Sequence, residues 1–385
     1  MERSVRRPAA LGRLLELLHL HGPVTRAEAT TSLGLARSVV GDAVNDLVEL
    51  GLVVVTKPEP AEAAGRGRPS PVLAPAPNGP VVVAAHIRVG SARLQVVRLG
   101  REPVGAAVTV PIDPGHSAEE TLAGLAERAG ALAAQADGRW VGLAVGTGGM
   151  VRDGVVRSAL HLGWAAAEPV PAQQLLARHL PPGVAVSVSH ECTLAARAER
   201  RYGAGRGAGS VLLLTCEHIG IGGALLREGS REDGQALEAG HLVVDDRGPQ
   251  CPCGQRGCLE LFADGRALLR EAGVANTGDA SLVSDVLDRA ALGEAGPLRA
   301  ARRVAERLGV GAASLVNVLD PDLVVLIGPL KALAVVAREQ LESRLADSLV
   351  ARVDNTRLTA GELPEPALAG AADLAFEAFF RAPAV

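Results

Sequence analysis

The stretch Cys251-Pro252-Cys253-Gly254-Gln255-Arg256-Gly257-Cys258 places three of the chain's five cysteines within eight residues. Thiols this close must pair or share a partner, so this stretch constrains the local fold more than any other. The nearest preceding histidine, His241, completes the pattern His-x9-Cys-x-Cys-x4-Cys. One nitrogen and three thiolates fill a tetrahedral shell, which suits zinc and leaves no open position for a reactive water, so the expected role is structural. Gly254 and Gly257 let the backbone turn tightly enough to return Cys258 to the same ion. A disulfide or redox pair fits less well, because Cys251 and Cys253 are separated by one residue where the redox pattern has two. Cys192 and Cys216 lie beside strand-like runs and read as buried, inert thiols.

The remaining bounds are broad. A length of 385 residues with 48% apolar content fits two or three domains around a large core. The net charge of -4 excludes a whole-chain nucleic-acid signature, so any such contact must be local. An aromatic content of 2% argues against base-stacking platforms for single strands. No run of about eighteen uncharged apolar residues is present. The amino-terminal MERSVRRPAALGRLLELLHLHG is a charged amphipathic segment, unlike a signal peptide. A cytoplasmic protein without a membrane span is expected.

Residues 1–57 read as three helices and a strand. Leu11, Leu14, Leu15 and Leu18 recur at helical spacing. Thr25-Arg26-Ala27-Glu28 has capping-box spacing and starts a second helix that stops near Leu33-Gly34. A third runs from about Ala36 to Leu50 with Val40, Ala43, Val44 and Leu47 on one side, and Leu52 to Thr56 reads as a strand leading into a wing. Helix, short glycine turn, helix is the helix-turn-helix arrangement, whose second helix offers side chains to the DNA major groove. Arg37, Ser38, Gly41, Asp42 and Asn45 are expected on that outward face. A small helical bundle that binds protein fits the same pattern. Charge discriminates little, since seven Lys/Arg stand against six Asp/Glu in this segment.

Residues 58–79 are rich in proline, glycine and alanine and read as a linker. Within it, Gly65-Arg66-Gly67-Arg68-Pro69 resembles an AT-hook core, in which Arg66 and Arg68 would enter a narrow minor groove. Residues 80–385 alternate strand-like and helix-like stretches, an α/β pattern. Strands are expected at Val81 to His86, Leu94 to Leu99, Trp140 to Val145, Val184 to Val188, Val211 to Thr215 and Leu323 to Ile327. Helices are expected at Ala118 to Ala136, Thr193 to Tyr202 and Leu298 to Leu319. Two related lobes suit this length.

Glu238-Ala239-Gly240-His241 followed by Cys251-Pro252-Cys253-Gly254-Gln255-Arg256-Gly257-Cys258-Leu259-Glu260 resembles the ExGH and CxCGxxGCxE signatures of the ROK family of repressors, open reading frames and sugar kinases. Looser similarity covers most of residues 80–385, and the amino-terminal winged helix is what the family's repressor branch adds. The resemblance implies an actin-like, two-lobed sugar-kinase fold of the α/β class. It also implies a structural zinc on His241, Cys251, Cys253 and Cys258, and a sugar or sugar-derivative effector held by Glu238, His241 and Glu260. Carboxylates suit that work, because each oxygen accepts from adjacent hydroxyls.

The family's kinase chemistry is altered at three places. The DxGGT phosphate loop corresponds to His86-Ile87-Arg88-Val89-Gly90-Ser91, without the Asp or the glycine pair. The NDxN segment falls on Ser189-His190-Glu191-Cys192-Thr193, where His190 and Glu191 remain able to hydrogen-bond an effector. The second glycine loop reads Glu217-His218-Ile219-Gly220-Ile221-Gly222-Gly223, with an acid where phosphate would sit. The family's Gly-x-Pro-Gly loop reads Gly146-Thr147-Gly148-Gly149, and Leu162-Gly163-Trp164 resembles a neighbouring family segment. The expectation is a non-enzymatic repressor on double-stranded operator DNA, nucleoid-associated when bound. It would act as a homodimer or dimer of dimers, with half-sites about 34 Å apart. A ROK sugar kinase is the alternative, and a sugar sensor or docking module without DNA binding is the third reading.

Overall fold

The computed structural model describes residues 2–56, 70–164, 168–229 and 234–383, with side chains from residue 9 onward. The amino-terminal element is built as its local signals predict. α1 (Glu2–His21) buries Leu11, Leu14, Leu15 and Leu18. β1 (Val24–Thr25) leads into α2 (Arg26–Leu33), which begins with the capping box: the Glu28 N–H donates to Thr25 Oγ1 at 3.1 Å and the Thr25 N–H to Glu28 Oε2 at 2.7 Å. Gly34, at φ 62°, ends it in the left-handed conformation. α3 (Arg37–Glu49) packs on α1 through its buried Val40, Ala43, Val44 and Leu47.

β2 (Val53–Thr56) pairs antiparallel with β3 (Val72–Pro75), which also pairs with β1, giving the order β1-β3-β2. β3 falls inside residues 58–79, the expected linker, and corrects that reading. Leu73 is fully buried and lies opposite both Val24 and Val55, so a short apolar strand is embedded among linker-like prolines. Arg66 and Arg68 fall between β2 and β3 in sequence and lie outside the described residues.

The next strands form a sheet of order β10-β7-β4-β5-β6. β4 (Val81–Arg88), β5 (Ser91–Arg98) and β6 (Glu102–Pro111) make an antiparallel meander. α4 (Ala118–Ala133) follows, and then β7 (Trp140–Thr147). A small hairpin of β8 (Met150–Arg152) and β9 (Val155–Ser158) comes next, before α5 (Ala172–Ala177) and β10 (Ala185–His190).

α6 (Glu191–Tyr202) opens a second series, with β11 (Ser210–Cys216), β12 (Ile221–Arg227) and β13 (Gln235–Leu237) as another antiparallel meander. Four helices follow: α7 (Glu260–Ala263), α8 (Gly265–Ala272), α9 (Ser281–Ala291) and α10 (Ala295–Leu319). β14 (Leu323–Ile327) then adds in parallel to β11. α11 (Pro329–Val336), α12 (Arg338–Leu345) and α13 (Leu349–Asp354) precede β15 (Arg357–Ala360), parallel to β14. α14 (Pro366–Arg381) closes the chain. The second sheet has the order β13-β12-β11-β14-β15. Each sheet is thus a three-strand meander extended from its first strand by two later ones, a duplication of topology that the sequence hides.

Two compact units result: residues 1–146 with 171–188 and 371–385, and residues 147–170 with 189–370. The amino-terminal element shares a unit with the first sheet, so the compact units do not follow the boundary expected at residue 80. In the second unit, the sheet is buried on both faces. Leu212, Leu214, Val324 and Leu326 pack with α8 to α12, while Val211, Leu213 and Val325 pack with Ala195 and Ala196 of α6. Near the end of α6, Glu199 is fully buried and accepts the N–H groups of Ala204 at 2.8 Å, Glu362 at 3.2 Å and Leu363 at 3.0 Å. Gly203 makes room for it, since a Cβ there would lie 2.0 Å from Glu199 Oε2. Replacing this acceptor leaves buried donors unsatisfied. Glu199→Ala is expected to lower stability by about 3–5 kcal/mol, read from the denaturation midpoint, with Glu199→Gln losing less.

Candidate metal centre and ligand site

The four expected ligands converge. His241 ends a single helical turn (Ala239–His241) after β13, and the three cysteines lie in the loop between that turn and α7. The loop closes on itself: the Cys251 N–H donates to the Gln255 carbonyl at 2.8 Å and the Gly254 N–H to the Cys251 carbonyl at 3.0 Å. Gly254 at φ 96° and Gly257 at φ 69° take backbone conformations that other residues resist. The donor atoms of His241, Cys251, Cys253 and Cys258 all lie within 4.8 Å of one another. Cys253 and Cys258 Sγ are 3.6 Å apart, and Cys251 Sγ is 3.7 Å from His241 Nδ1. This donor set, drawn together without a disulfide among the described cysteines, could hold a metal ion. Burial pushes the Cys251 and Cys258 thiols up. Burial also acts on Cys253, but hydrogen bonds from the Gln255 N–H and the neighbouring thiols bring it below the ordinary thiol value.

Glu260, two residues beyond Cys258, opens α7 and is 1% exposed. Its Oε2 lies 3.1 Å from His161 Nε2, and its Oε1 accepts from Cys251 Sγ at 3.4 Å and lies 3.9 Å from Arg266 Nη2. Burial raises the Glu260 carboxyl, but the His161 hydrogen bond and the charges of His161 and His241 outweigh it and hold the group below the usual carboxylate range. His161 was not among the expected site residues. Its signal was its place beside Leu162-Gly163-Trp164. Gly220, at φ 89°, lets the ring approach, because a Cβ there would lie 2.9 Å from His161 Cδ2. Asp264 fixes the same loop by accepting the Gly220 N–H at 3.1 Å, and it pairs with Arg266 at 2.7 Å.

The other expected ligand residues gather around Cys192. This buried thiol is raised first by burial and then by the charges of Glu191, Glu238 and Glu217. Cys216 is buried as well, and burial pushes its thiol up in the same way. His190 is buried and its Nδ1 accepts the Cys192 N–H at 3.1 Å, capping α6. Glu191 is half-buried, with Oε1 3.5 Å from where a Cβ on Gly148 would stand and 3.9 Å from one on Gly222. Glu238 is exposed at the start of the His241 turn. At the place of the phosphate loop, Val89 and Gly90 form a tight turn closed by the Arg88–Ser91 pair, and Arg88 Nε donates to His86 Nδ1 at 3.2 Å.

On α3, Arg37, Ser38, Asp42 and Asn45 are exposed as expected, and Val39 joins them. Gly41 is not on that face. It is buried, and a Cβ there would lie 2.4 Å from Arg26 Nη2, so the Arg26 side chain covers it.

A family model described as the ROK family matches residues 99–378. The putative xylose repressor of Caldicellulosiruptor sp. (strain Rt8B.4) is 27% identical over 340 residues, 81% of each chain. The glucokinase of Thermotoga maritima is 29% identical over 168 residues, 40% of this chain and 53% of that one. A solved ROK family transcriptional regulator, a homologue of the E. coli MLC protein, superposes with a TM-score of 0.76 at 21% identity, covering 98% of this chain and 97% of its own. That likeness is one of fold and includes the amino-terminal element. No described helix is long and apolar enough to cross a membrane. With the family model matching well over half of its length, the chain belongs to the ROK family.

Proposed function

We propose that the protein is a sugar-responsive transcriptional repressor, and that it is not a kinase. The observation that carries the reading is the three-helix element with its β2–β3 wing, which precedes the family match and exposes Arg37, Ser38, Asp42 and Asn45 on one helix. In the proposed complex these residues read the major groove. Arginine suits guanine, asparagine suits adenine, an aspartate accepts from the cytosine amine, and the exposed Val39 offers a surface to a thymine methyl. Arg66 and Arg68 reach the minor groove from the segment between the wing strands. A homodimer on a pseudo-palindromic site follows from the two-fold symmetry of such operators.

Zinc on His241, Cys251, Cys253 and Cys258 would supply a rigid four-coordinate anchor and no reactive water. The loop it fixes presents His241 and Glu260 to an effector, with Glu238, His190 and Glu191 completing a polar site suited to vicinal hydroxyls. Phosphoryl transfer is disfavoured by the His86–Arg88 pair and by Glu217, since neither loop offers both a phosphate cradle and a metal-holding carboxylate.

Selection of duplexes from a random pool tests the reading. Enrichment of a two-fold site is expected, with Arg37→Ala weakening binding by roughly 1–3 kcal/mol, and with no ATP-dependent phosphorylation of a monosaccharide panel. Enrichment of nothing, with phosphorylation of a sugar, would establish the kinase instead. For the metal, Cys253→Ala is expected to abolish the single bound zinc per chain measured by elemental analysis. Retention of full zinc by that variant contradicts the proposed ligand set.

A further inference from the structure

His19 lies on α1, the helix against which α3 packs, and it is fully buried. Its two ring nitrogens are engaged by two other parts of the same unit. Nδ1 accepts the backbone N–H of Gly100, in the turn after β5, at 3.2 Å. Nε2 lies 3.1 Å from Oδ1 of Asp373 on α14, a carboxylate only 2% exposed. Because Gly100 can only donate, the proton sits on Nε2 and is donated to Asp373. The ring also rests on Phe376 and Phe380 of α14, with centroids 4.7 and 5.5 Å away, and those rings stack on each other at 5.7 Å.

The backbones approach as closely as the side chains. A Cβ on Gly12 of α1 would lie 1.8 Å from the Phe380 carbonyl oxygen, so the two helices touch main chain to main chain. Gly142 of β7 admits α14 in the same way, since a Cβ there would be 2.3 Å from the Ala375 carbonyl oxygen. Apolar packing alone would hold α1 to α14 with freedom to slide and rotate. A buried carboxylate and imidazole cost desolvation, and in return they permit one register.

We propose that His19 and Asp373 are positioning residues for DNA recognition: they fix α1, and through it α3, on the carboxy-terminal helix, so that α14 sets how the recognition helix is presented. This rests on the DNA-binding reading above. It gives the chain's last helix a part in operator recognition, although α14 lies 354 positions from His19 at the point of contact.

The test uses the full chain, a duplex enriched by the wild type from a random pool, and a scrambled duplex of equal length. Asp373→Ala is expected to weaken binding to the enriched duplex by roughly five- to thirty-fold. Binding to the scrambled duplex and the salt dependence should stay unchanged, because the phosphate contacts are kept. Asp373→Asn keeps an acceptor for the Nε2 proton and should bind within about threefold of the wild type. The proposal is overturned by any of three results: Asp373→Ala binding the enriched duplex as the wild type does, both duplexes losing affinity equally, or Asp373→Asn failing as alanine does. A wild type that enriches no duplex overturns the DNA-binding reading and this inference with it.

Discussion

The proposed ligand site depends on one buried carboxylate. Glu260 is two residues from Cys258, accepts from the Cys251 thiol and is held on its other side by His161. The position of its oxygens is therefore set by the cysteine loop and by the segment around residue 161 together. A carboxylate left alone at 1% exposure would be strongly destabilising. Here the hydrogen bonds and the nearby imidazoles keep it ionised. A metal ion on the four converging ligands would hold the loop that carries it, so that the proposed metal centre and the proposed recognition residues would act as one short stretch of chain.

The surroundings follow from the same economy of close approach. Gly220 admits the His161 ring, Gly203 admits the Glu199 carboxylate, and Gly222 lies under the Cys192 thiol, where a Cβ would be 2.5 Å from Sγ. At each of these positions a glycine makes room for a neighbouring side chain, as the proposed non-kinase reading expects of the loop around Gly220 and Gly222.

Much of this was legible in the sequence, and what was not has a common cause. The capping box at Thr25 and Glu28, the strands at Val81 and Leu323 and the cysteine loop are local, and local signals were read correctly. β3 was missed because prolines flank a strand only four residues long, and its evidence lies in Val24 and Val55, far outside any window. Gly41 is expected on the exposed face of α3 because helical spacing gives a face without saying which side chain, here that of Arg26, lies over it. His161 and Glu260 are 99 positions apart, and His19 and Asp373 are 354 apart. No periodicity reports such pairs. The repeated sheet order is likewise visible in the topology alone.

In the proposed mechanism a metal-fixed loop shapes a sugar site whose occupancy changes DNA affinity, which requires the ligand to bind two states of the protein unequally. The most direct measurement is the affinity of the metal-loaded chain for its selected duplex across a panel of pentoses and hexoses, repeated after chelation. A sugar-dependent change that disappears when the metal is removed is expected. A duplex affinity indifferent to every sugar, or an equal response after chelation, would contradict it.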